Sequence, residues 1–247
     1  MNEKNFIITT ENYNSPIIIT VPHGGIKNGQ GSWLELFFQK RIRLEDNSID
    51  GEKIVLGGDG QIMHIVADIL KKYKANAIIG VLPRLFVDYN RFIPQIAYAD
   101  KSMKPFYREY HKSIDKIVKK LLTKHKNIIL FDFHGFGTQP IKGREFDIIL
   151  GTNNQSSPKK VDNFLYSYFK KQYQVFCAAI DGLPEESDLY KGDTTNFHYY
   201  EKYGIDALLV EIAPKFRSSK KIDSKEKGKI LAEDFAKFFY VLENKIK

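Results

Sequence analysis

Cysteine occurs once in the 247 residues, so a disulfide within the chain is excluded. Cys177 lies in the apolar run VFCAAI and reads as an inert core thiol. Long hydrophobic runs are missing as well. No window approaches the length of a membrane span, and the opening residues MNEKNF carry no apolar targeting stretch. A soluble cytoplasmic protein with no membrane partner is expected. Internal repeats, low-complexity tracts and Pro/Ser-rich linkers are absent, so residues 1–247 read as a single domain. Arginine is scarce: it supplies 7 of the 38 basic residues, and lysine the other 31. The net charge of +8 is therefore spread as a dispersed lysine coat rather than a phosphate-binding stripe, which argues against a nucleic-acid partner while favouring anionic substrates.

What the chain does have is a feature that occurs twice: a strand-like apolar run that leads into histidine and glycine. Residues 17–21 (IIITV) precede Pro22-His23-Gly24-Gly25, and residues 128–133 (IILFDF) precede His134-Gly135-Phe136-Gly137. Continuous apolar runs of this length suit strands covered on both faces. Further strands are predicted at 5–10, 76–82, 146–150, 173–178 and 206–212, and helices at 33–44, 60–74, 105–124, 157–171 and 224–245. Strands and helices alternate, so the expected fold is α/β: one layered domain with a mixed, largely parallel central sheet flanked by helices. Residues 91–104 and 179–205 read as long polar loops, the second suited to covering a substrate.

In open α/β sheets, ligands gather at the carboxyl ends of the strands. His23 and His134 both fall there, placed to share one metal ion; the plainer alternative is that each caps a strand and bonds a nearby carbonyl. Asp59, between two glycines at a helix start, is either a third ligand or an N-cap. His64, inside that helix, reads as packing or surface. Asp132 precedes His134 by two residues, so on a strand both point to one face, as a carboxylate orienting an imidazole would. The stretch Arg84-Leu-Phe-Val-Asp-Tyr-Asn-Arg91 reads as an anion pocket or as a turn with a local Asp–Arg pair. Glu211, in the core-like run IDALLVEIAP, is a general base for a metal-activated water or one half of a buried ion pair.

Val21-Pro22-His23-Gly24-Gly25, Asp59-Gly60, RLFVDYNR, Tyr110-His111, Asp132-Phe133-His134, Arg144 with Phe146-Asp147-Ile148, and Val210-Glu211-Ile212 run through most of the chain. In order and spacing they resemble the N-formylglutamate amidohydrolase family, related to the zinc carboxypeptidases and to aspartoacylase. The resemblance implies a zinc carboxypeptidase-like sheet and a Zn2+-dependent hydrolase of a small anionic N-acyl amino acid. It implies catalytic roles for Glu211 and Arg84; His23 and His134 are the expected metal ligands, with Asp59 the candidate for the third. Asn90, Arg91 and Arg144 would hold the substrate carboxylate, and His111 reads as core packing beside the site. Three positions depart from the pattern. Ile26 stands where a His-x-x-Glu pair would place its glutamate, Gly-Phe-Gly-Thr follows His134 where the family carries a serine, and YKGDTTNFHYY matches the family's substrate loop loosely. A carboxypeptidase, a γ-glutamyl-peptide hydrolase and a degenerate anion-binding protein are the alternatives.

Overall fold

A computed structural model gives the arrangement of residues 7–24, 48–49, 52–53, 62–82, 84, 86–92, 97–98, 101–137, 139, 141–153, 155–182, 192, 194–217 and 222–246. The strands are β1 (Ile7–Thr10), β2 (Ile17–Val21), β3 (Ser48–Ile49), β4 (Glu52–Lys53), β5 (Asn76–Gly80), β6 (Ile129–Gly135), β7 (Ile148–Gly151), β8 (Val175–Cys177) and β9 (Asp206–Ile212). The helices are α1 (Ile62–Lys72), α2 (Lys104–Leu122), α3 (Val161–Phe169), α4 (Ala178–Asp181), α5 (Thr195–Tyr203) and α6 (Ile222–Ile246). Seven strands form one mixed sheet in the order β1-β5-β2-β6-β9-β7-β8, and β3 and β4 pair separately. At its centre β5, β2, β6 and β9 are mutually parallel, while β1 runs against β5, β7 runs against β9, and β8 is parallel to β7. The expected mixed, largely parallel α/β sheet is what the chain forms.

Period-two alternation divides the side chains of each strand between two cores. Ile17, Ile19 and Val21 of β2, Phe131 and Phe133 of β6, and Leu208 and Val210 of β9 pack with α1, α3 and α6. Ile18, Leu130 and Ala207 enter the opposite layer, where Phe106, Tyr110, Ile114 and Leu121 of α2 and Tyr199 of α5 cover the sheet. Each such side chain, fully buried, contributes roughly 1.5–3 kcal/mol relative to exposure. The alternation fixes the site as well. Thr20, Asp132, His134 and Glu211 follow the parity of Ile18, Leu130 and Ala207, so they lie on the sheet face that α2 and α5 cover.

Three expectations change. β6 continues through Gly135, paired with β9 as far as Ile212, so His134 sits within the strand and not beyond its end. The predicted 157–171 helix begins only at Val161, because Lys160 adopts the left-handed conformation (φ 60°) that a helix cannot continue. Part of the expected polar loop 179–205 is helix α5. Its buried residues include Thr195 and Asn196, so no apolar stripe announced it. The predicted helix 33–44 and Asp59 lie outside the described residues.

Candidate active site

β2 ends at Val21, and Pro22 and His23 turn away from the sheet. That turn lies hard against β5: a Cβ on Gly24 would stand 2.7 Å from the Ile79 side chain and 3.0 Å from the Gly80 carbonyl oxygen. Only glycine lets the chain pass so close. His23 is thereby brought beside His134, with ring centroids 5.1 Å apart and the rings edge to face at 74°. Both histidines are buried.

Each imidazole is held by a carboxylate. His23 Nε2 lies 2.7 Å from Asp88 Oδ1, and His134 Nε2 lies 2.9 Å from Asp132 Oδ2. A carboxylate accepts only, so Nε2 carries the proton and the ring lone pair is on Nδ1. Asp132 is itself fixed, because the Thr20 hydroxyl donates to Oδ1 at 2.5 Å. Asp88 is more heavily used. Arg84 Nε donates to Oδ2 at 2.8 Å, the Asn90 backbone N–H donates to Oδ1 at 3.0 Å, and Arg91 Nε stands 3.9 Å from Oδ2. Burial would raise the Asp88 pKa, but the His23 ring and the Arg84 guanidinium outweigh it and hold the carboxyl well below the usual carboxylate range.

Glu211 of β9 is the register partner of His134 on β6 and is half-buried. Beyond the two strands, Arg217 donates from Nε to the Ile212 carbonyl at 2.8 Å and from a terminal nitrogen to the Phe136 carbonyl at 2.6 Å. It ties together the chain segments that leave His134 and Glu211.

Asn90 turns its carboxamide oxygen onto the start of α5, accepting from the Thr195 backbone N–H at 3.0 Å and from the Thr195 hydroxyl at 2.6 Å. The next residues extend an aromatic wall. Phe92 stacks on His198 at 4.1 Å and tilts against His111 at 5.0 Å, and His111 Nδ1 meets the Tyr199 hydroxyl at 3.0 Å. Burial, followed by the neighbouring His198, lowers the His111 pKa to about 3, so that ring is neutral at pH 7. His111 is a packed aromatic, as expected.

The structure therefore gathers His23, Arg84, Asn90, Arg91, His134 and Glu211 around the carboxyl ends of β2, β6 and β9. Arg144 is exposed, its guanidinium 5.2 Å above the Phe146 ring, with no hydrogen bond among the described residues to the Asp88 network. His64 is exposed on α1. Sequence patterning missed Thr20, Arg217, Thr195 and the reach of Asp88 to His23. A threonine inside the apolar run IIITV was the one available signal for the first; the others are contacts between distant parts of the chain.

No group of three His, Cys, Asp or Glu side chains suited to a metal occurs among the described residues. The two imidazoles nevertheless suit one: carboxylates fix both tautomers, and imidazole nitrogen is a common zinc donor. The expected third donor, Asp59, is outside the described residues.

Fold and site together define a class of α/β protein whose polar side chains converge at the carboxyl ends of a mixed seven-stranded sheet. The sequence model of the N-formylglutamate amidohydrolase family matches residues 94–216, a segment that contains Asp132, His134, Arg144, Thr195 and Glu211. The resemblance read from the motifs stands, and the match supports amide-bond hydrolysis. The fold is similar to that of an N-formylglutamate amidohydrolase from Ralstonia eutropha, at 13% identity and a TM-score of 0.62, covering 95% of this chain and 98% of that one. It is also similar to a gene product of Agrobacterium tumefaciens, at 14% identity and a TM-score of 0.60, covering 95% and 93%. A metallo-carboxypeptidase from Pseudomonas aeruginosa aligns at 12% identity and a TM-score of 0.47, covering 98% of this chain and 61% of its own. No curated protein matches the sequence significantly. Among the described residues no helix is long and apolar enough to cross a membrane.

Proposed function

We propose that the protein is a zinc-dependent amidohydrolase that cleaves the amide bond of an N-formyl or related N-acyl amino acid, such as N-formylglutamate. One observation carries this reading: two imidazoles 5.1 Å apart, each with a carboxylate at Nε2, beside the carboxylate of Glu211 on the adjoining strand. His23 and His134 would hold the ion, with Asp59 as third ligand. When bound, zinc supplies a Lewis acid and brings the pKa of a water to about 7. Glu211 takes a proton from the attacking water and returns it to the leaving amine. Arg84, fixed through Nε by Asp88, polarises the scissile carbonyl, and such a donor contributes roughly 3–4 kcal/mol in comparable sites. Asn90 and Arg91, together with Arg144, hold the substrate carboxylate. The Phe92, His111 and His198 rings give that pocket a neutral, apolar wall.

The test is elemental analysis of the purified protein combined with assays on N-formylglutamate, N-acetylglutamate, dipeptides and poly-γ-glutamate. Near-stoichiometric zinc, with turnover of the formyl substrate that His134→Ala abolishes, is expected. Turnover of dipeptides or poly-γ-glutamate in preference to formylglutamate would overturn the substrate assignment, and activity undiminished in His134→Ala would overturn the metal site.

A further inference from the structure

Thr195 lies 105 residues from Asn90 in the chain, yet it makes both of the hydrogen bonds that the Asn90 carboxamide oxygen accepts. It is the first residue of α5, and the preceding Thr194 makes no side-chain capping bond. The first N–H groups of a helix have no partner within the helix and take an acceptor from elsewhere. The Asn90 carboxamide is that acceptor, and the partial positive charge of the helix start favours its oxygen end. A carboxamide with its oxygen engaged twice has one remaining orientation, in which both N–H groups of Nδ2 point away from α5. No acceptor for Nδ2 occurs among the described residues.

The start of α5 is itself anchored. Gly192, at φ +74°, brings the chain so close to β7 that an added Cβ would stand 2.5 Å from the Gly151 carbonyl carbon. Asn196 Nδ2 then donates to the Gly192 carbonyl at 2.8 Å and to the Ser156 hydroxyl at 3.3 Å. On its other side, the Asn90 backbone N–H is bound to Asp88, the carboxylate that holds His23. The carboxamide is thus clamped between a docked helix and the histidine pair.

We infer that Thr195 is a positioning residue: by holding the Asn90 carboxamide oxygen, it presents the two Nδ2 hydrogens as donors and so makes the site selective for a substrate carboxylate over a neutral carboxamide. This rests on the proposal that Asn90 binds the substrate carboxylate. Thr195 touches no substrate in this scheme and acts only through Asn90.

The experiment is a double-mutant cycle of Thr195→Val and Asn90→Ala, read as kcat and KM on N-formylglutamate and on its α-carboxamide. A hydrogen bond to a charged group is worth a factor of about 10–150, so Thr195→Val should raise KM for N-formylglutamate about tenfold or more. Its kcat should stay within about threefold, and the preference for carboxylate over carboxamide should shrink. Thr195→Ser, which keeps the hydroxyl, should restore KM. In the Asn90→Ala background, Thr195→Val should change KM no further. Thr195→Ala is made in parallel, so that the cycle closes on whichever variant folds. If Asn90→Ala leaves KM unmoved, the carboxylate-binding role of Asn90 falls and the inference falls with it. If Asn90→Ala raises KM while the Thr195 variants leave it unchanged, or raise it equally without Asn90, the role of Asn90 survives and the positioning by Thr195 is wrong.

Discussion

Glu211 and His134 occupy the same level of two adjoining parallel strands and face the same layer of helices. Backbone pairing, rather than side-chain bonding, sets their separation, so the central sheet itself holds the carboxylate beside the imidazole. A base carried on a strand keeps its position when the loops around it move.

Glu211→Gln keeps the size of the side chain and removes its basicity. Turnover of N-formylglutamate should fall by about 10²–10⁴, the usual contribution of a positioned base, with zinc content and thermal stability close to wild type. Rates and metal content measured on one preparation check this. Retained turnover would remove Glu211 as the base.

The carboxylates behind the two histidines should differ in what their loss does. Asp132 has partners His134 and Thr20, and Asp132→Asn should weaken zinc binding about 10–100-fold by releasing the His134 ring. Asp88 also neutralises Arg84, whose side chain is only 11% exposed. Asp88→Asn therefore breaks a largely buried ion pair from one side, a change that costs about 3–5 kcal/mol in comparable pairs. Chelator competition and urea unfolding should show similar losses of metal affinity but a much larger loss of stability for Asp88→Asn. Equal stabilities would contradict the hub role of Asp88.

Much of this arrangement was legible in the sequence because it depends on local rules. Uninterrupted apolar runs located β2, β6 and β9, and the two-residue spacing of Asp132 and His134 was enough to pair them on one face. The aspartate in RLFVDYNR suggested a local ion pair with arginine, which exists, but the same carboxylate also bonds His23, 65 residues earlier. Nothing periodic encodes such a contact. Helix α5 escaped notice for a related reason. Its buried face is made of Thr195, Asn196 and Tyr199, whose hydrogen bonds exist only once Asn90, Gly192 and His111 are in place. A helix stabilised by polar contacts to distant residues carries no hydrophobic signature.

His111 makes a sign-definite prediction about pH. Its folded-state pKa is lowered to about 3, below the 6.5 of an ordinary histidine, chiefly by burial and then by His198. In the unfolded chain His111 is protonated below pH 6.5; in the folded chain it stays neutral until about pH 3. Its contribution is therefore fully present above pH 6.5 and lost as pH falls toward 3, at about 1.4 kcal/mol per pH unit. Urea unfolding of wild type and His111→Gln at pH 7, 6 and 5 should show a shallower decline in the variant. Parallel curves would mean that the ring takes up its proton in the folded state.

Gly192→Ala tests the docking of α5 from outside the network of side chains. The glycine holds φ +74°, which disfavours a side chain, and its added Cβ would meet backbone at Gly151 rather than a yielding side-chain tip. Relief requires the segment ahead of α5 to lift from β7, which lengthens the Asn196 bonds to Gly192 and Ser156 and carries Thr195 away from Asn90. The expected result is a stability loss of about 1–3 kcal/mol, together with a raised KM for N-formylglutamate and a smaller change in kcat. A kcat loss with unchanged KM would place the start of α5 against the reacting bond instead of the carboxylate end of the substrate. An unchanged enzyme would mean that the segment accommodates the methyl without moving Thr195.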